Sequence, residues 1–155
     1  MPATATATRR KKQPARAKVG AISYPITIPF PKLNPGEKFV GVIVSADGKY
    51  RHALILLPGE SEPNNWKAQM EWAASIGGDL PDRVEGALLF ATLRDEFKGA
   101  WYWTRELHAA YSDYAWMQSF GYGYQLNTRK SYDYRARAVR RAPLVIRSFQ
   151  EITDA

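Results

Sequence analysis

Apolar positions along the chain change period twice. Phe39–Val44 and His52–Leu57 are short β-branched and aliphatic runs, and Ala46-Asp47-Gly48-Lys49 between them has turn composition. This predicts an antiparallel hairpin, closed off by Pro58-Gly59. From Trp66 the spacing becomes helical. Trp66, Met70, Ala73 and Ala74 form one stripe, with Asn65 placed to cap the helix and Gly77-Gly78 to stop it after Ile76. A second helix is expected after Leu80-Pro81. Asp82 and Glu85 have capping-box spacing, and Val84, Leu88 and Ala91, flanked by Ala87, supply an inward face that fades by Phe97-Lys98-Gly99. Strand-like runs return at Trp101–Arg105, Tyr114–Phe120 and Tyr134–Arg140, separated by segments rich in Tyr, Ser, Asp, Asn and Gly. Strands, two helices, then strands again indicate an α+β fold rather than alternating βαβ units.

Charge is unevenly spread. Residues 1–20 carry six basic side chains (Arg9, Arg10, Lys11, Lys12, Arg16 and Lys18) and no acid, which leaves 16 basic against 15 acidic residues elsewhere. The net charge of +7 therefore describes an arm and not a basic domain. Residues 1–20 read as a disordered basic tail and 21–37, with Pro25, Pro29, Pro31 and Pro35, as an extended arm laid against the domain by Ile22, Ile26, Ile28 and Phe30. The domain itself is expected over 38–142, with 143–155 as a C-terminal extension in which Leu144–Phe149 either adds an edge strand or packs on the arm. With 45% apolar and 13% aromatic residues in 155, the chain can bury one core but not two. No apolar run is long enough for a membrane helix, and no secretory signal is evident, so a cytoplasmic or virion-associated protein is expected.

Cysteine is absent and the two histidines, His52 and His108, lie far apart in sequence. Neither a thiol nucleophile nor a zinc–thiolate site is available, and no metal or other cofactor is expected. Asp79, Asp82 and Glu85 have a sufficient role at a helix start, without acid–base chemistry. The five tryptophans, Trp66, Trp72, Trp101, Trp103 and Trp116, are assigned first to the core, with a place beneath the ligand surface as the alternative for Trp116. Arg135, Arg137, Arg140 and Arg141 are expected to pair with carboxylates and carbonyls inside the domain rather than with nucleic acid.

Trp66-Lys67, Trp72-Ala73, Gly77-Gly78, Leu80-Pro81, Arg83, Glu85, Ala87-Leu88-Leu89, Tyr102-Trp103, Tyr114-Ala115-Trp116 and Arg135–Arg141 follow one another in an order that resembles the Lcl C-terminal domain family. That family is a phage and prophage domain of unknown function. The resemblance spans about residues 38–141 and implies a C-type-lectin-like fold, two helices on antiparallel strands. Thr104-Arg105 departs from it, standing where many relatives have a small Ser-Gly or Ser-Ser pair. Glu62-Pro63-Asn64 spells the calcium-and-sugar tripeptide of mannose-binding C-type lectins. Here it precedes the first helix, and a turn with a helix cap accounts for it.

Six of the nine tyrosines lie between 111 and 134. Tyrosine offers large, stiff contact area at low entropic cost, and Ser, Gly and Asn add adaptable hydrogen bonds. Tyr111, Ser112, Asp113, Tyr114, Tyr122, Tyr124, Asn127, Ser131, Tyr132 and Asp133 are the candidate ligand contacts. The fold that the resemblance implies is also that of variable proteins diversified by retroelements, which draw on the same residue types; ordinary turn composition is the competing account. The functional expectation is non-catalytic recognition of a protein or glycan, with several copies assembling for avidity. The rival expectation is an intracellular phage accessory factor whose arm binds nucleic acid or a virion component.

Overall fold

The computed structural model describes residues 30–144; the basic tail, arm residues 21–29 and residues 145–155 lie outside the described residues. Strand β1 (Lys38–Val44) pairs antiparallel with β2 (Arg51–Leu56), and a bulge after Phe39 shifts the register. The turn between them is closed by the Gly48 N–H donating to the Ser45 carbonyl at 2.8 Å, with Gly48 at φ +69°. That left-handed conformation explains glycine at this position. Next come β3 (Ser61–Asn64), α1 (Trp66–Ser75), α2 (Arg83–Leu93) and a single 3₁₀ turn at Arg94–Glu96. The chain then forms β4 (Trp101–Leu107), β5 (Tyr114–Ser119), β6 (Gln125–Arg129), β7 (Tyr134–Ala136) and β8 (Val139–Pro143). No helix among the described residues is long and apolar enough to cross a membrane.

The strands form two sheets. One is antiparallel in the order β1-β2-β8, and the other has the order β3-β7-β4-β5-β6. In the larger sheet β4 and β7 run parallel, so it is mixed and not wholly antiparallel as expected. The α+β class and the two helices are as read from the pattern; three strand assignments change. Tyr134–Arg140 is not one strand: the chain leaves the larger sheet at Ala136 and enters the smaller one at Val139. Gln125–Arg129, expected within a turn-rich stretch, is the edge strand β6, and Glu62-Pro63-Asn64 lies in β3 rather than in a turn. Pro63 is tolerated there because β3 is the opposite edge of that sheet.

Neighbouring residues on β4 point to opposite faces, and two cores result. On one face Trp103, Ala115, Met117 and Ala136 pack with Ala73, Met70 and Trp66 of α1. On the other, Tyr102 and Phe120 pack with Leu89 of α2 and with Val40, Leu54 and Leu56 of the smaller sheet. The caps are as predicted: Asn65 accepts from the Ala68 N–H at 3.0 Å, and Asp82 and Glu85 form a complete capping box. The buried face of α2 is not. Val84, Ala87 and Ala91 are exposed, while Glu85, Gly86 and Leu89 face inward. Gln69 rather than Ala74 joins Ala73 on the buried side of α1, its amide donating to the Glu62 and Tyr134 carbonyls at 2.8 Å each.

Glu85 is fully buried because a cluster of partners receives it. Arg141 forks onto its two oxygens at 2.6 and 2.7 Å and also reaches Asp79 at 2.8 Å. The His52 Nε2 lies 2.9 Å from the same carboxylate. Burial alone would push the Glu85 carboxyl up, but hydrogen bonds from Arg141, the Asp82 N–H and His52 outweigh it and hold the group below the usual carboxylate range. The other arginines of this run are likewise engaged. Arg135 meets Glu60 at 3.2 Å, Arg137 donates to the carbonyls of Glu96 and Leu57, and Arg140 holds Glu37 at 2.6 Å and the Lys32 carbonyl at 2.8 Å. Together with the Phe30–Phe39 ring contact, Arg140 fastens the last part of the Pro-rich arm to the smaller sheet.

Candidate recognition surface

Nine of the ten candidate contacts separate into two groups. β5 and β6 pair from Tyr114↔Arg129 at one end to Gln118↔Gln125 at the other. The loop 108–113 and the turn 130–133 meet at the first end, where the Lys130 N–H donates to the Asp113 carbonyl at 2.8 Å. This end gathers Tyr111, Ser112, Asp113, Tyr114, Ser131, Tyr132 and Asp133. Tyr122 and Tyr124 lie in the β5–β6 turn, a strand length of roughly 17 Å away. Asn127, half-buried in the middle of β6 opposite Trp116, belongs to neither end. A single continuous surface of ten residues is therefore not what the fold builds.

Exposure decides which tyrosines can act outward. Tyr111, Tyr132, Tyr122 and Tyr124 retain 60, 53, 80 and 50% of their surface. Tyr114 is half-buried, and its hydroxyl accepts from the Arg129 Nε at 3.3 Å. That hydrogen bond, with Tyr132 and Asp113 close by, raises the Arg129 guanidinium above its ordinary value. Arg129, absent from the sequence-derived set, is thus a neighbour of three candidate residues and bonds one of them, Tyr114.

An aromatic ladder supports the loop. The Arg83 guanidinium lies 3.7 Å from the centroid of Trp116, and His108 stacks against Trp116 at 5.9 Å and 16°. His108 in turn stacks on Tyr111 at 4.9 Å, and Tyr111 tilts against Tyr114 at 5.7 Å. Trp116 is therefore a half-buried rung beneath the loop and belongs to neither hydrophobic core, contrary to its core assignment. Trp103 is the fully buried tryptophan, and Trp66, Trp72 and Trp101 pack at the edge of the α1-side core. The alternation of β5 would have found Trp116: Ala115 and Met117 bracket it and face the core.

Between α2 and the β5–β6 hairpin runs a groove of about 450 Å³, bounded by Arg83, Val84, Gln118, Gly123 and Gln125. Its polar floor is self-satisfied. Gln125 accepts from the Arg83 Nε at 2.9 Å and donates to Gln118 and to the Arg83 carbonyl. These bonds lock Arg83 in place over Trp116. No protein family model matches the chain, nor does any curated protein.

Proposed function

We propose that this chain is a non-catalytic recognition protein of phage or prophage origin, with a C-type-lectin-like domain that touches a protein or glycan ligand through the end built from residues 108–114 and 130–133. One observation carries the reading: Tyr111 and Tyr132 keep more than half their surface in solvent, on a loop and a turn whose neighbouring strands run directly into the buried core at Trp103 and Ala115. Large phenol rings held outward on a rigid base are what a contact surface needs, because little conformational freedom remains to be lost on binding. Ser112, Asp113, Ser131 and Asp133 surround them with exposed hydrogen-bonding groups. The Tyr122/Tyr124 turn is a second, smaller patch. Retroelement diversification fits this residue chemistry, and a template repeat and reverse transcriptase in neighbouring genes would support it.

The recognition role is tested by presenting the full chain to arrayed glycans and to whole bacterial cells, alongside a chain lacking residues 1–20. Binding that survives removal of the tail and is insensitive to salt is the expected result. The rival reading rests on the six basic groups of residues 1–20. It predicts instead that binding goes to duplex DNA or RNA, vanishes with the tail, and on duplex DNA weakens by about 0.9 log unit per log unit of salt for each phosphate contacted.

A further inference from the structure

His108 holds the recognition loop through one nitrogen. Its Nδ1 accepts from the Ala110 N–H at 3.1 Å and from the Tyr111 N–H at 3.2 Å, while the backbone N–H of His108 donates to the Tyr114 carbonyl at 3.0 Å. Two backbone donors aimed at one ring nitrogen require a lone pair there, so the ring proton sits on Nε2. We infer that His108 is a proton-sensitive latch on the recognition loop: neutral, it clamps the backbone that carries Tyr111; protonated, it releases it. The added proton goes to Nδ1 and turns an acceptor into a donor facing two donors. Both hydrogen bonds are lost together and replaced by repulsion.

The surroundings set the balance. An imidazolium stacked on an indole is attractive by itself, but Trp116 already carries the Arg83 guanidinium 3.7 Å from its centroid. Tyr111 stacks on the ring and tilts against Tyr114 of β5, which Arg129 of β6 engages, while Glu106 near the end of β4 and Asp113 in the loop are its charged neighbours along the chain. None of them offers an acceptor to Nδ1 in place of the two amides. The loop is therefore held while the ring is neutral and freed once the ring takes a proton. As regulation, this rests on reading the loop as the ligand surface; as loop chemistry, it does not.

The test therefore contains no ligand. Amide exchange of Ala110 and Tyr111 in the full chain is followed by NMR from about pH 7.5 to about pH 5 and corrected for intrinsic exchange, together with the His108 ring resonances. Protection should fall roughly tenfold, the loss of one to two net hydrogen bonds, in step with the His108 titration. In His108→Asn, whose side-chain oxygen can accept from the same amides and does not titrate, protection should stay level. Constant protection in the wild type while His108 titrates would overturn the proposal. So would an equal fall in His108→Asn. A loop that switches in a chain whose Tyr111→Ala variant binds undiminished would leave the latch standing and remove the recognition reading.

Discussion

Arg141 is the residue that ties the smaller sheet, through β8, to α2. Its side chain is 19% exposed, and it holds Glu85 by two parallel hydrogen bonds while reaching Asp79 from β8. Arg141→Leu leaves a fully buried carboxylate without its main partner, so it should cost about 3–5 kcal/mol in urea denaturation. Arg141→Lys should recover only part of that, because an ammonium cannot fork onto both oxygens. The same chemistry sets the acid limit. Glu85 lies below the ordinary carboxylate value, and the hydrogen bond from Arg140 lowers Glu37 from 4.5 to about 2. Groups depressed by folding stabilise the protein above their unfolded values and lose that contribution as pH falls through the folded ones. The urea midpoint should therefore be level above about pH 5 and should decline from 4.5 toward about 2, where Glu37 finally takes its proton. A midpoint unchanged over that range would mean that these pairs do not stabilise the fold.

At the scale of elements, the helices were the most legible parts and their orientation the least. Asn65, Asp82 and Glu85 announce both caps, since capping is local chemistry within four residues. Which side of α2 turns inward is set by Arg141, 56 residues beyond Glu85. An apolar count therefore chose Val84 for the core, where the fold places a charged residue with its partners. The break between β7 and β8 was hidden for a related reason. Alternation continues smoothly through Arg137-Ala138, while the chain passes from one sheet to the other there, and backbone periodicity carries no mark of which sheet a strand joins. β6 (QLNTR) lacks the β-branched run of a central strand and needs none, being an edge. The close approach of α1's end to this crossover gives a direct check. A Cβ at Gly78 would stand 2.5 Å from Leu57 Cδ1 and 2.9 Å from the Val139 carbonyl oxygen. Gly78→Ala should therefore cost about 1–3 kcal/mol, measured against Gly99→Ala as a control, where an added Cβ meets only the Gly121 Cα at an ordinary 3.8 Å.

For the whole molecule, the consequence is a division of labour along the β5–β6 hairpin. One face of the larger sheet is sealed by α1 and the other by α2 with the smaller sheet, so free surface with large aromatics is left at the hairpin's two ends. Tyrosine enrichment pointed to both ends without separating them, because composition has no direction; the register of β5 on β6 separates them. Arg129 and His108 were missed, and Trp116 was assigned to the core ahead of its place beneath the surface, because each draws its role from side chains brought alongside by that pairing. The central claim is that the Tyr111/Tyr132 end makes the productive contact. It is tested most directly by the affinity of the full chain for its strongest probe among arrayed glycans and cells. Wild type would be compared with the double variants Tyr111→Ala/Tyr132→Ala and Tyr122→Ala/Tyr124→Ala, with urea midpoints measured in parallel. The account predicts that the first pair loses about 30-fold in affinity, the scale of truncating a contact hot spot, with stability changed by less than about 0.5 kcal/mol, and that the second pair binds nearly as wild type. Undiminished binding by the first pair, in a chain as stable as the wild type, would contradict it.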